Sequence, residues 1–161
     1  MSDFPLRLAR ADEHEAVAAC VDAAYSKWIA RIGRKPGPML DDYAELIGRG
    51  VVYVLPDEAD TIRALIVTWV QDGDADADAY MWIDNLAVQP AEQGSGIGRM
   101  LIAFAEDRAR ESGLNEIRLL TNALMTENIA FYERGGFEVL ERKTLENGGG
   151  LVVMVRRLVT K

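Results

Sequence analysis

The residues with the clearest chemical potential lie in a glycine-rich turn, Gln93-Gly94-Ser95-Gly96-Ile97-Gly98. The almost continuously apolar segment 80–88 before the turn predicts an internal strand, and apolar residues at helical spacing after it predict the start of a helix. Glycines at such a junction let backbone N–H groups approach a ligand closely, and the N-terminus of a helix attracts negative charge. The turn therefore predicts a binding site for a phosphorylated cofactor.

The spacing of the glycines indicates which cofactor is expected. A dinucleotide-binding G-x-G-x-x-G motif would need its last glycine at Arg99, and the P-loop motif G-x-x-x-x-G-K-[ST] does not occur in the sequence. The turn has the form Q-x-x-G-x-G and follows Leu86-Ala87-Val88-Gln89-Pro90. This arrangement resembles the acetyl-CoA pyrophosphate loop of the GNAT superfamily of N-acetyltransferases, [QR]-x-x-G-x-[GA] after a similar strand end. The alternative is a glycine-rich connection that binds no ligand.

A second segment supports the same resemblance. Residues 126–137, TENIAFYERGGF, resemble the family segment in which Asn-x-Ala and Phe-Tyr precede Gly-Phe, and they follow a predicted strand at 116–121. In the N-terminal half, only the layout of elements is similar. The resemblance implies one domain over residues 1–161 with an α/β fold, a three-layer α/β sandwich around a mixed, strongly twisted sheet of six or seven strands.

The resemblance also implies acetyl-CoA as co-substrate and main-chain groups as its ligands. Leu86, Ala87 and Val88 would hold the pantetheine arm, with an N–H near Leu86 facing the thioester oxygen. The pyrophosphate would be bound by the turn, namely Gln93, Gly94, Ser95, Gly96, Ile97, Gly98 and Arg99. For Arg99, a plain helix-surface position is an open alternative.

Tyr132 is the general acid that the resemblance implies, placed to protonate the departing thiol. A thiol has a pKa of about 8.5 and a tyrosine of about 10, so the expected gain is modest, on the order of 10²-fold. Asn128, one helical turn earlier, would hydrogen-bond the cofactor. The alternatives are that Tyr132 packs beside Phe131 as a core residue and that Asn128 caps the helix.

Asp84 is the candidate general base. An amine acceptor is protonated at neutral pH, so a group must remove a proton before attack. Asp84 is a carboxylate in an otherwise apolar strand, where it is costly to bury unless it is paired or functional. Many members of the resembled family carry an acidic residue near this place. The alternative is a structural carboxylate that accepts hydrogen bonds from nearby backbone N–H groups.

The acceptor pocket is expected from the segment after the first helix, with Trp28, Arg31, Arg34 and Tyr43 as candidate substrate-binding residues. Arg31 and Arg34 would clamp a carboxylate of the acceptor or contact CoA phosphates. The alternative is a surface loop held by its prolines. The expected acceptor is the amine of a small molecule, an amino acid or a peptide, attacking directly in a ternary complex because no cysteine is suitably placed for an acetyl-enzyme.

Composition excludes several other functions. The net charge of −8 argues against nucleic acid and is compatible with a cationic acceptor. The only cysteine, Cys20, falls on an apolar helical stripe, which predicts a core residue and not a nucleophile. The only histidine is His14, and the sequence has no G-x-S-x-G motif, so a hydrolase with a Ser-His-Asp triad is not expected. The alternating Asp72, Asp74, Asp76 and Asp78 lack the EF-hand pattern and predict an exposed hairpin tip. We expect no metal site.

The sequence has no apolar run of about 18 residues and no signal-peptide pattern at residues 1–5, so we expect a cytoplasmic protein that does not enter the membrane. Periodicity predicts the element order β-α-α-β-β-β-α-β-α-β-β. The predicted strands are 6–9, 51–55, 62–70, 80–88, 116–121, 137–143 and 151–158. The predicted helices are 12–30, 41–48 (capped by Asp41), 97–112 and 126–134, and residues 147–150 form a flexible hairpin connection.

Four alternatives stay open at this point. The chain is an active N-acetyltransferase, a catalytically silent acyl-CoA-binding sensor, a transferase of longer acyl chains, or an adaptor that uses the fold for contacts only. The strands near the C-terminus are suited to pairing between subunits in a homodimer. Sequence does not name the acceptor, because its pocket comes from the half of the chain that lacks recognisable motifs.

Overall fold

The structure is a computed structural model that describes residues 4–146 and 149–159. The strands are β1 (Arg7–Leu8), β2 (Val52–Pro56), β3 (Ile62–Gln71), β4 (Tyr80–Val88), β5 (Glu116–Asn122), β6 (Glu138–Thr144) and β7 (Gly150–Arg157). The helices are α1 (His14–Tyr25), α2 (Ile29–Ile32), α3 (Tyr43–Gly48), α4 (Ile97–Glu111) and α5 (Thr126–Arg134). The predicted order of elements is confirmed except that the first predicted helix is divided into α1 and α2, and β4 has the predicted bounds.

The strands form a seven-stranded sheet with the order β1-β2-β3-β4-β5-β7-β6. β4 and β5 pair in parallel, whereas the pairs β1–β2, β2–β3, β5–β7 and β6–β7 are antiparallel. The predicted α/β class with a mixed sheet is therefore confirmed. The chain divides into two compact units, one with residues up to Thr68 and 84–101, the other with 69–83 and the residues from Ile102 onward. A single domain over residues 1–161 stays a prediction.

In the first unit, apolar residues of α1 and of the antiparallel strands form the core. Val17, Cys20 and Val21 are fully buried on α1, as are Val54 and Leu65 on β2 and β3. The predicted stripe of apolar residues on α1, with Cys20 as a core residue, is thus confirmed. Burial also raises the pKa of the Cys20 thiol to about 12, which keeps it protonated and unreactive.

The predicted helices of this unit differ from the observed ones in two places. The predicted helix 12–30 is divided, because a 3-10 turn at Ser26–Trp28 separates α1 from α2, which ends at the left-handed Gly33. The predicted cap Asp41 is wrong. Asp42 caps α3, because its carboxylate accepts a hydrogen bond from the Glu45 N–H at 3.1 Å. A capping side chain typically accepts from an N–H two or three residues later, and Asp42 has that spacing to Glu45.

In the second unit, β5 is the central strand of the described ladders. Met81, Trp82 and Ile83 of β4 pair with residues 117–119 of β5, and Leu119 lies opposite Met154 of β7. Ile117, Leu119 and Met154 are buried, as expected for residues that face the core from a central strand. β6 is the edge strand, is exposed along its whole length and has a bulge between Val139 and Glu141.

The second unit also contains the loop with the alternating aspartates. The Asp74 carboxylate accepts hydrogen bonds from the N–H groups of Asp76 (2.8 Å) and Ala77 (2.9 Å), so it stabilises the turn locally. In the described ranges, no group of three or more His, Cys, Asp or Glu side chains could hold a metal ion. Within the same ranges, no helix has the length and apolar composition needed to cross a membrane. Of the predicted flexible connection 147–150, Asn147 and Gly148 lie outside the described residues.

Candidate functional site

The turn between β4 and α4 presents an open backbone surface. Gly94 and Gly96 have φ angles of +84° and +87°, which glycine adopts without the strain that a side chain would cause. A Cβ at either position would meet no atom within 4 Å, so the space beside this backbone is free of protein. The Gln93 Nε2 group donates to the Val88 oxygen at 3.2 Å and fixes the turn against the end of β4.

The backbone N–H groups of this turn are available to a ligand. α4 begins at Ile97, so its first N–H groups have no partner inside the helix. The Met100 N–H is already occupied, because it donates a hydrogen bond to the Gly96 oxygen at 3.1 Å. Across residues 4–146 and 149–159, no protein acceptor takes a hydrogen bond from the N–H groups of residues 94–99. These donors lie at the positive end of the helix dipole and are suited to a phosphate.

Among the described residues, one edge of the β4 backbone next to the turn has no strand partner. The Gln89 N–H donates to the Arg63 oxygen on the β3 side at 2.9 Å, and backbone groups of successive strand residues point to opposite edges. Leu86 and Val88 therefore face the other edge, where the described ladder to β5 ends at Ile83. There the Leu86 oxygen accepts a hydrogen bond from the Tyr25 hydroxyl at 2.9 Å.

Asp84 forms a pair with a residue that the sequence analysis did not select. Side chains alternate along β4 as predicted. Asp84 is half-buried on one face, and its chain neighbours Ile83 and Asn85 are buried on the other. Asp41, in the segment just before α3, interacts with the Asp84 carboxylate. The partial burial of Asp41 and, next, the hydrogen bond and negative charge of Asp84 raise the pKa of Asp41 to about 7, with a smaller contribution from the charge of Glu45.

Tyr43 connects the segment of Asp41 to β4. Its side chain is 4% exposed. The hydroxyl donates to the Pro38 oxygen at 2.6 Å and accepts from Asn85 Nδ2 at 2.6 Å. Burial, followed by the charges of Asp41 and Asp84, raises the pKa of Tyr43. Its predicted contact with substrate stays a prediction, because both hydrogen bonds of the hydroxyl are made within the protein.

Asn85 and Tyr25 are two further polar residues that the sequence analysis missed. The Asn85 Oδ1 atom is buried and has no hydrogen-bond partner in the part of the chain that the structure describes. Its polarity within an apolar strand, the signal that selected Asp84, could have drawn attention to Asn85 as well. Tyr25 lies within the predicted first helix, and nothing in the sequence identified Leu86 as its partner.

The other predicted substrate residues lie at the end of α1 and beyond. Trp28 is 3% exposed, with the Lys27 ammonium 5.2 Å and the Arg31 guanidinium 4.9 Å from its ring centroid. Trp28 therefore fills the core and supports two cations above it. Arg31 and Arg34 are exposed. Lys27 Nζ lies 3.3 Å from Gln93 Oε1 and brings a positive charge to the glycine turn. The substrate contacts of Trp28, Arg31 and Arg34 stay predictions.

Tyr132 and Asn128 lie on α5 in the second unit. Tyr132 is 7% exposed and makes edge contacts with Phe131 and Phe137, at centroid distances of 5.3 and 5.7 Å. Burial raises the pKa of Tyr132, so its hydroxyl stays protonated at neutral pH. Met125, not Asn128, occupies the cap position of α5, and Asn128 is half-buried in the first turn. The catalytic and cofactor-binding roles of this pair stay predictions.

Comparison with known proteins gives consistent matches. A model of the acetyltransferase (GNAT) family matches residues 9–137 of the 161. The mycothiol acetyltransferase of Kocuria rhizophila is 36% identical over 83 residues, which are 50% of this chain and 27% of that protein. The match thus spans little more than a quarter of that relative's length.

Solved structures share the fold. A chain of the NatC complex, solved with a Gag peptide and CoA, has a TM-score of 0.71 at 18% identity and covers 96% of this chain and 98% of its own. Chaetomium thermophilum Naa20, solved with a bisubstrate analogue, also has a TM-score of 0.71, at 16% identity, with coverage of 95% and 86%. Such identities show a common fold and not a common substrate.

Proposed function

This chain belongs to the acetyltransferase (GNAT) family, and from that premise we propose that it is an acetyl-CoA-dependent N-acetyltransferase. Its acceptor is the amine of a small molecule, an amino acid or a peptide. The observation that carries the proposal is the row of N–H groups at residues 94–99, which have no protein acceptor within the described chain and lie at the start of α4. Such a row fits a pyrophosphate.

The residues that would hold acetyl-CoA come from the turn and the end of β4. The N–H groups of residues 94–99 receive the pyrophosphate, and the openness at Gly94 and Gly96 leaves room for it. The edge of β4 at Leu86 and Val88 offers N–H groups to the amide-containing pantetheine arm, whereas the oxygens of these residues already accept hydrogen bonds from Tyr25 and Gln93. Lys27, beside Gln93, adds a positive charge near the phosphates.

Acetyl-CoA supplies an acetyl group activated as a thioester, and the chain supplies the proton transfers. Asp84 removes a proton from the acceptor ammonium so that the neutral amine can attack directly. The N–H of Leu86 stabilises negative charge on the thioester oxygen. The Tyr25 hydrogen bond to the Leu86 oxygen holds the next peptide group, between Leu86 and Ala87, and so restrains the backbone at Leu86. Tyr132 is the acid for the leaving thiol, a role that its persistent protonation supports.

Two finer expectations belong to the same proposal. The first is a cytoplasmic location with no nucleic acid or membrane as partner. The net charge of −8 supports the absence of nucleic-acid binding. The second is a homodimer formed through strands near the C-terminus. β6 is exposed along its length, but its bulge and its charged residues Arg142 and Lys143 are features that discourage edge pairing.

Calorimetric titration tests the cofactor. We expect wild-type protein to bind acetyl-CoA with micromolar affinity and not to bind NAD, and we expect Gly96→Glu to abolish acetyl-CoA binding by placing a carboxylate in the phosphate site. Gly50→Glu is the matched control, because Gly50 also has a positive φ (+73°) and open space around it but lies after α3, outside the turn.

Three outcomes of this titration have different meanings. Loss of binding in Gly96→Glu alone, followed by acetylation of a member of an amine library, supports the proposal. Binding without turnover of any amine would favour the acyl-CoA sensor. Absence of acetyl-CoA binding in the wild-type protein would refute the proposed function.

A further inference from the structure

The segment that precedes the glycine turn is fixed to the start of β3. The Gln89 N–H donates to the Arg63 oxygen at 2.9 Å, and the Gln89 Nε2 group donates to the Ile62 oxygen at 3.4 Å. The Glu92 Oε2 atom accepts hydrogen bonds from Nε and Nη2 of Arg63 at 3.2 and 2.7 Å. Main-chain and side-chain contacts together therefore hold residues 89–92 against β3.

Glu92 is also joined to the turn itself. The Ser95 hydroxyl donates a hydrogen bond to the Glu92 oxygen, so Glu92 is held by Arg63 through its carboxylate and by Ser95 through its carbonyl group. Ser95 lies within the row of N–H groups at residues 94–99. A displacement of Glu92 would thus be transmitted to the donors that we assign to the pyrophosphate.

The negative charge of Glu92 gives this ion pair a second effect. A carboxylate two residues before Gly94 repels a phosphate bound at the turn unless a cation compensates its charge. Within residues 4–146 and 149–159, Arg63 is the one cationic partner of the Glu92 carboxylate. The two side chains are 35% and 33% exposed, and ion pairs so accessible to water contribute little to the stability of a fold. We therefore expect the pair to affect the turn more than the folded state as a whole.

We infer that Arg63 is a positioning residue for the pyrophosphate site, which orients the glycine turn through Glu92 and compensates the Glu92 charge without contacting the cofactor. The inference rests on the proposed binding of acetyl-CoA. A turn whose N–H groups are already held in place loses less conformational entropy when a phosphate binds, and its affinity is higher for that reason. Arg63 lies on another strand, 29 positions before Glu92, so no motif within the turn identifies it.

A double-mutant cycle on acetyl-CoA binding tests the pair. Calorimetry measures Kd for the wild type, Arg63→Met, Glu92→Gln and the double variant. We expect Arg63→Met to raise Kd about 10-fold, because Glu92 is then neither held nor compensated. In the Glu92→Gln background, the same change should raise Kd less than ~2-fold, since the charge on which Arg63 acts is absent.

Arg110→Met is the matched control. Arg110 is 34% exposed, pairs with Glu106 at 2.9 Å and lies in the last turn of α4, at the opposite end of that helix from the glycine turn. This variant loses the same charge and should keep the wild-type Kd. An unchanged Kd in Arg63→Met would overturn the inference. An equal effect of Arg63→Met with and without Glu92→Gln would also overturn it, because Arg63 would then act on the cofactor directly.

A second measurement needs no cofactor. Backbone ¹⁵N relaxation of the free protein reports the mobility of residues 94–96 on the picosecond to nanosecond timescale. We expect lower order parameters there in Arg63→Met than in the wild type and in Arg110→Met. Equal order parameters in all three proteins would overturn the positioning role. A wild type that binds no acetyl-CoA would instead refute the proposed function, and the relaxation data would still decide whether Arg63 holds the turn.

Discussion

The hydroxyl of Tyr25 donates a hydrogen bond to the main-chain oxygen of Leu86 at 2.9 Å and so joins the last residue of α1 to β4. Tyr25 is itself buried, so the bond is shielded from competing water. The first unit therefore restrains the β4 backbone at Leu86, whose N–H we propose faces the thioester oxygen, from the side opposite to β3.

Tyr25→Phe removes this hydrogen bond and keeps the ring. We expect the free energy of unfolding to fall by about 1 kcal/mol, the usual net contribution of one hydrogen bond. We expect kcat to fall as well, because the backbone at Leu86 is less well restrained. Urea unfolding and steady-state kinetics measure the two effects. Tyr80→Phe is the control, since no hydrogen bond of the Tyr80 hydroxyl occurs within the described residues and its loss should change stability by less than ~0.5 kcal/mol. Equal stability and kcat in wild type and Tyr25→Phe would contradict the assigned role.

Tyr132→Phe tests the general acid. In the part of the chain that the structure describes, the Tyr132 hydroxyl donates to no protein acceptor, whereas its ring packs between Phe131 and Phe137. We therefore expect unchanged stability, unchanged acetyl-CoA affinity and a kcat lower by about 10²-fold. Thermal unfolding, calorimetry and steady-state kinetics measure the three quantities. If Tyr132→Phe acetylates a good acceptor as fast as the wild type, Tyr132 is a packing residue and not the acid.

The stability of the protein should depend on pH through Asp41. Its pKa is raised from 3.8 to about 7 in the folded state, so between these values the folded protein keeps a proton that the unfolded chain has released. Since the unfolded state then binds fewer protons, this group lowers the free energy of unfolding as pH rises from about 4 to 7, and its effect is constant above 7.

Asp41→Asn isolates this contribution from those of all other groups. We expect the variant to gain stability relative to the wild type as pH rises from 5 to 8, because an amide at position 41 does not ionise beside Asp84. Denaturant unfolding at both pH values measures the difference, with Asp72→Asn as the control for the loss of one charge. A stability difference that is the same at pH 5 and pH 8 would show that the Asp41 carboxyl group titrates alike in the folded and unfolded chain.

The glycine turn and its flanking elements could be predicted because their signals are local. An unbroken apolar run predicts β4 at residues 80–88, and apolar residues at helical spacing predict α4 from Ile97. Glycine at positions 94 and 96 fits the left-handed backbone that the structure shows there. Each signal lies within a few residues of the feature that it predicts.

The Asp41–Asp84 pair could not be predicted in this way. Asp41 was expected to cap a helix, because an aspartate shortly before a helical pattern is a usual cap and Asp41 and Asp42 are adjacent. Only the backbone of the segment decides that Asp42 takes the cap position and leaves Asp41 for another partner. Trp28 and Tyr43 show the same limit, since an aromatic residue in a polar segment fits a binding surface or a core equally well.

The sequence by itself thus determined most of the order of the elements, the family and the position of the glycine turn, since these follow from periodicity, glycine conformation and motif within short stretches of chain. Only the tertiary structure decided which polar groups meet. The hydrogen bonds from Tyr25 to Leu86 and from Asn85 to Tyr43 join residues 61 and 42 positions apart. The physical reason is that periodicity states which face of an element is buried but not which side chain of a distant segment packs against it.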